Sequence, residues 1–251
     1  MRGLFVTGTD TGVGKTVLSA ALTAAVAATG ERVRAFKPVV TGLEESADVA
    51  AGAGGPLAEN ATEGAEDPRP NAFWPADHVL LGAAAGMAPE MVSPLRFGPA
   101  VSPHFAAELA GAPIEPERLL TAAIGSGDPD ETLIVEGVGG LLVPLRADYN
   151  VCDFAVALGL PLLIAARPGL GTINHTLLTL RVARDAGLDV LAVVLTPWPQ
   201  QPSAMESSNR ATIERIGEVE VATLRRITAP EPSELARAGD ELPWRQWLQQ
   251  R

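Results

Sequence analysis

Residues 3–16 read Gly-Leu-Phe-Val-Thr-Gly-Thr-Asp-Thr-Gly-Val-Gly-Lys-Thr. A short apolar run, Leu4 to Val6, enters a glycine-rich loop, and the loop opens into an alanine-rich stretch, Val17 to Ala28, with strong helix preference. Strand, loop and helix in this order are the context that a phosphate-binding loop requires. Its glycines let backbone N–H groups turn inward around phosphate oxygens, and the helix N-terminus adds partial positive charge. In this reading Gly12, Val13, Gly14, Lys15, Thr16 and Val17 bind a nucleotide, Lys15 reaches its β- and γ-phosphates, and the Thr16 hydroxyl holds Mg2+. Gly8 and Gly14 enclose five residues where the common pattern has four, so the loop is a longer variant. A β–α turn without a ligand is the bland alternative, and the coincidence of Gly-Lys-Thr with both flanking elements argues against it.

Beyond the loop, short apolar runs alternate with amphipathic segments. Expected strands are Gly3–Thr7, Arg32–Lys37, Thr132–Glu136, Leu160–Ala165, Val190–Thr196 and a weaker Glu220–Leu224. Expected helices are Lys15–Ala28, Asp77–Ala85, Pro103–Ala110, Glu115–Ile124, Val151–Leu158, Thr172–Ala186 and Ser203–Ile216. This alternation predicts a P-loop NTPase-like α/β fold, a mostly parallel central sheet with helices on both faces. Residues 1–251 read as one domain, interrupted at 43–75 by a Gly-, Ala-, Glu- and Pro-rich stretch that reads as a flexible insertion. Trp244 and Trp247 are expected to pack a short final helix onto the domain.

Ligands of such sheets bind at the carboxyl ends of the strands. Lys37, Glu136, Arg167 and Thr196 all fall there. Glu136 ends an apolar strand, where a carboxylate is costly unless it meets a cation or donors; Mg2+ is the natural partner. A net charge of −11 argues against a nucleic-acid surface. No apolar run is long enough to span a membrane, and the apolar strand that opens the sequence leads to the expectation of no signal peptide. Cys152, the single cysteine, reads as a small buried apolar residue, and the chain as cytoplasmic.

Several separated motifs together resemble the dethiobiotin synthetase family: Val6 to Thr16, Lys37-Pro-Val-Val-Thr-Gly42, Ser102-Pro103-His104, Val135-Glu-Gly-Val-Gly-Gly140 and Gly169-Leu-Gly-Thr-Ile-Asn-His175. The longer phosphate loop is what that family shows. The resemblance implies an ATP-dependent enzyme that joins CO2 to 7,8-diaminopelargonic acid and closes a cyclic urea, with Mg2+ and release of ADP and phosphate. It makes Lys37, Lys15 and Thr11 the catalytic residues, with Lys37 beside a carbamate and the γ-phosphate. Thr41, Ser102 and Pro103 would face the substrate, and His104 would help to position it. The turn of Gly171, Thr172, Ile173 and Asn174 would bind the substrate's carboxylate from the partner subunit of a homodimer. Gly137, Val138 and Gly139 would follow Glu136 along the nucleotide.

Metal ligands would be Thr16, Glu136 and an aspartate. Asp77 opens a plausible helix, at its cap, and is preferred; Asp48 is the alternative, nearer in sequence to Lys37. Where the family often has an adenine-reading Asn, Thr196 or Pro197 stands here, which leaves the base preference open; Thr196 and Pro197, with backbone groups of Ala222, Thr223 and Leu224, would line the base pocket. Two other classes share the fold. An amide synthetase would need a glutaminase domain with a catalytic cysteine. A dimeric ATPase switch of the partitioning or septum-site type would carry a second lysine where Thr9 and Asp10 stand.

Overall fold

The computed structural model describes residues 1–44, 74–125, 128 and 130–249. Along the chain these form β1 (Arg2–Gly8), α1 (Lys15–Ala28), β2 (Val33–Phe36) and β3 (Val39–Val40), then α2 (Asp77–Ala85), α3 (Pro89–Val92), β4 (Leu95–Arg96), α4 (Pro103–Leu109) and α5 (Pro116–Ile124). There follow β5 (Thr132–Glu136), β6 (Pro144–Arg146), β7 (Tyr149–Asn150), α6 (Val151–Leu158), β8 (Leu162–Ala166), α7 (Thr172–Asp185), β9 (Val190–Trp198), α8 (Ala204–Gly217), β10 (Glu220–Arg225), α9 (Pro232–Asp240) and α10 (Trp244–Trp247).

The six strands expected from the sequence form one sheet in the order β10-β9-β8-β1-β5-β2, and every pairing in it is parallel. Successive side chains of a strand face opposite sides. Leu4 and Val6 of β1 therefore pack with α1, α2, α9 and α10, while Phe5 packs with α4 to α8 on the other face. Both faces are covered, which is why the central strands read as continuous apolar runs rather than alternating ones. Two small ladders, β3 with β4 and β6 with β7, escaped the sequence reading because strands of two or three residues carry no periodicity.

Local sequence explains several boundaries. Asn150 and Asp153 form a reciprocal capping box that starts α6, and Ser203 and Glu206 form another that starts α8. The alanines of α1 serve packing as well as propensity: a Cβ at Gly239 would lie 2.1 Å from the Ala21 carbonyl oxygen, so α9 touches α1 almost backbone to backbone. Helix α9 was not anticipated from the sequence. Trp244 and Trp247 are buried against the same layer, as expected for a short closing helix. Cys152 is buried among apolar side chains, and burial pushes its thiol up.

Candidate active site

Strand β1 lies between β8 and β5, so the loop that follows it opens at the centre of the carboxyl edge, where ligands of open parallel sheets bind. Gly12 and Gly14 stand at φ +70° and +92°, a region that side chains with a Cβ rarely enter. Thr196, at the end of β9, fills the space where a Gly14 Cβ would be: that atom would lie 2.7 Å from its methyl group. Lys15 bends back over the loop, and its ammonium donates to the Asp10 carbonyl at 2.6 Å. The N–H of Thr11 donates to the Asp10 carboxylate.

Below the loop lies a compact ionic cluster. The Lys37 ammonium, one residue beyond β2, contacts Glu136 Oε1 at 2.5 Å and Asp77 Oδ2 at 2.7 Å. The Thr16 hydroxyl donates to the same Glu136 oxygen at 2.9 Å. Lys15, Lys37 and Glu136 are buried, while Asp77 is partly open to solvent. Asp77 is the first residue of α2, but Ala76 holds the cap position and no side chain caps it. The sequence reading placed Asp77 as the cap; its carboxylate turns to Lys37 instead, because an ammonium is a stronger partner than a neutral N–H.

Burial alone would push the Lys37 ammonium down, but the Asp77 and Glu136 carboxylates outweigh it and hold it above the usual lysine range. Glu136 is pushed up, by burial first and by the Asp77 charge. Asp77 stays below the ordinary range, since Lys37 and the Thr16 hydroxyl overcome its desolvation. Lys15 is pushed down to about 8 by burial and by the Lys37 ammonium. Two cations and two anions thus share a small volume of low dielectric, an arrangement suited to holding polyphosphate and metal charge.

Residues 137–140 pass directly in front of the phosphate loop. A Cβ at Gly140 would lie 3.4 Å from the Gly8 carbonyl oxygen, and one at Gly139 would lie 3.7 Å from the Thr11 hydroxyl. Val138 is partly buried. The β3–β4 ladder brings Thr41 beside the segment 97–100, which leads into Ser102 and α4 with Pro103 in its first turn. Ser102 and His104 hydrogen-bond each other at 3.0 Å.

A cavity of about 190 Å³ separates the loop from the start of α7; Thr9, Asp10 and Thr11 line one side, Arg167, Thr172 and His175 the other. Gly171 caps α7 in the left-handed conformation, Ile173 and Asn174 belong to its first turn, and Leu170 just before it is 94% exposed. Pro197 is joined to Thr196 by a cis peptide bond, and Trp198 packs on the core. In β10 the Leu224 side chain lies in the core, with Ala222 packed against the same cluster, while Thr223 is partly buried. Asp48 lies outside the described residues, as does most of the 43–75 stretch.

Two residues of this region were not singled out from the sequence. Arg167 was noted only as a strand-end residue; Asn209, buried on α8, donates to the carbonyls of Pro168 and Gly169. Neither stands in a recognisable spacing pattern, and their contacts cross 155 and about 40 residues.

The parallel sheet with its loop on a central strand defines a P-loop nucleotide-triphosphate-binding α/β protein. The Pyrococcus furiosus cell division ATPase MinD shares this fold, with a TM-score of 0.51 at 16% identity over 96% of this chain and 99% of that one. A chain of the Aquifex aeolicus MinC:MinD cell division protein complex gives 0.52 at 15% identity, over 96% and 95% of the two chains. A family model described as AAA domain matches residues 2–63 and 77–224. An ATP-dependent dethiobiotin synthetase from Bacillus licheniformis is 37% identical over 217 residues, 86% of this chain and 81% of its own length. One from a Mycobacterium species (strain KMS) is 35% identical over 240 residues, 94% and 93% of the two. The chain belongs to the family of ATP-dependent dethiobiotin synthetases.

Proposed function

We propose that this protein makes dethiobiotin, using ATP to carboxylate 7,8-diaminopelargonic acid with CO2 and to close the ureido ring, with release of ADP and phosphate. The observation that carries this reading is the cluster of the buried Lys15, Lys37 and Glu136 with the partly exposed Thr16 and Asp77 at the mouth of the phosphate loop, in a chain of this family. One substrate amine adds to CO2, loses a proton and becomes a carbamate. A carbamate oxygen attacks the γ-phosphorus and ADP leaves, giving a carbamic–phosphoric anhydride. The second amine attacks the carbonyl carbon, phosphate leaves and the ring closes. Both reactants of the phosphoryl step are anions, so the demand is for positive charge in fixed positions more than for acid–base groups. Lys15 and Lys37 supply that charge, and Thr11 lies at the loop beside them.

The donor set fits a divalent metal. Two carboxylates and a hydroxyl are hard oxygen ligands of the kind Mg2+ takes together with substrate phosphates. The Glu136 Oε2 atom is buried without a hydrogen-bond partner, a costly state that a cation would relieve. Thr16, Asp77 and Glu136 would hold Mg2+, which would screen the phosphate charge. Thr41, Ser102 and Pro103 form the diamine side. The α7 start, with Leu170 exposed before it, supports a homodimer in which Gly171, Thr172, Ile173 and Asn174 serve the neighbouring site. The chain acts as a single domain in the cytoplasm.

The test is ADP release on adding 7,8-diaminopelargonate and bicarbonate to protein with ATP and Mg2+. Substrate-dependent ADP and dethiobiotin in equal amounts are expected. ATP hydrolysis indifferent to the diamine would overturn the reading.

A further inference from the structure

Arg167 follows β8 and sits over the phosphate loop. Its Nε and Nη2 both donate to the Gly12 carbonyl oxygen, at 3.2 and 2.9 Å. The backbone that carries Arg167 is anchored from behind. The next two carbonyls, Pro168 and Gly169, accept from the buried amide of Asn209, so the turn that carries Arg167 is tied to α8. The far side of the contact is the Gly12–Val13 peptide, whose first residue is a glycine. Gly12 stands at φ +70°, and glycine visits both signs of φ with comparable ease. The orientation of the 12–13 peptide is set by ψ of Gly12, which glycine leaves broad, and by φ of the β-branched Val13; the bond to its carbonyl adds a restraint from outside the loop.

A trans peptide is planar, with its C=O and the following N–H antiparallel. Holding the Gly12 carbonyl against Arg167 thus aims the Val13 N–H the opposite way, into the loop. We infer that Arg167 is a positioning residue: it clamps the Gly12–Val13 peptide in the orientation that presents an N–H, rather than a carbonyl oxygen, to bound phosphate. The inference rests on the reading of this loop as a nucleotide site, but not on the diamine chemistry. Gly12 and Arg167 form a matched pair. A Cβ at Gly12 would lie 3.0 Å from Arg167 Nη2, so a larger residue there would press on the clamp.

Because Arg167 is exposed, its replacement should leave the fold intact. In Arg167→Ala, backbone hydrogen exchange at residues 11–13 of the free protein should speed up by about tenfold, and KM for ATP should rise by on the order of tenfold, the usual worth of a charged hydrogen bond. kcat at saturating ATP should stay within about twofold, and KM for the diamine should not move. Arg167→Lys, a point donor without the fork, should fall between the two. Unchanged exchange at 11–13 together with unchanged ATP KM would overturn the inference. So would a rise in diamine KM alone, which would make Arg167 a contact for the substrate. Failure of the diamine reaction in the wild-type protein would strike the proposed function and leave the exchange comparison standing.

Discussion

Replacing Lys37 with Met tests the electrostatics of the cluster directly. The ammonium neutralises a glutamate that is 1% exposed and has one oxygen without any partner. Met keeps the length and apolar stem and removes only the charge. Glu136 then has two options, an uncompensated buried charge or a proton. The proton sets a ceiling on the cost. At 1.36 kcal/mol per pH unit, protonating a carboxyl of ordinary pKa 4.5 at pH 7 costs about 3.4 kcal/mol. That agrees with the roughly 3–5 kcal/mol seen when one partner of a buried pair is removed. For a chain of this size the cost corresponds to a fall in Tm of about 7–14 °C.

The assay is thermal unfolding in EDTA at several pH values. A carboxyl whose folded pKa lies above its unfolded one binds more protons when folded, so its penalty shrinks as pH falls. The gap between variant and wild type should therefore close by roughly 1.4 kcal/mol per pH unit from pH 7 towards 5. Adding Glu136→Gln should recover much of the loss, because a neutral amide no longer needs a counter-ion. A Tm within 2 °C of wild type at pH 7, or a gap that does not change with pH, would refute the reasoning.

Lys15, with a folded pKa of about 8 against an ordinary 10.5, should take up close to one proton when ATP binds at pH 9, as the phosphates restore its charge. Calorimetry in buffers of different ionisation enthalpy measures this, and apparent ATP affinity should fall from pH 7 to 9. The same shift has a stability consequence. Burying charged Lys15 costs stability below pH 8, and that cost is relieved as pH rises towards 10.5. Asp77→Asn should largely abolish the rise in Tm that Mg2+ produces in the presence of a non-hydrolysable ATP analogue, while leaving most of the metal-free stability in place. Gly239→Val should destabilise by at least about 2 kcal/mol in urea unfolding, since its branched side chain would meet the Ala21 carbonyl at the α1–α9 contact.

Much of the architecture was legible along the chain. All six strands of the main sheet were expected at nearly their observed places, because a doubly covered parallel strand must be a short apolar run and nothing else in this sequence looks like one. The starts of α1, α2 and α6 were expected at Lys15, Asp77 and Val151, where the structure has them. Lys15 could be selected because it stands in the Gly-Lys-Thr of the phosphate loop, and Lys37 and Glu136 because each ends or follows a strand, and strand ends meet along one edge.

Which of these groups touch was not legible. That Lys37 is shared by Asp77 and Glu136, 40 and 99 positions away, depends on β2 and β5 lying side by side and on α2 starting over the same edge. That Asp77 turns to an ammonium instead of capping its helix depends on the charge it meets there. The Arg167–Gly12–Val13 clamp spans 155 residues and leaves no trace in spacing. Local sequence determined which backbone segments are strand, loop and helix, through propensity, burial pattern and turn chemistry. The tertiary structure alone decided the charge states and the orientation of the phosphate loop, because both depend on distances of a few ångströms between groups far apart in the chain.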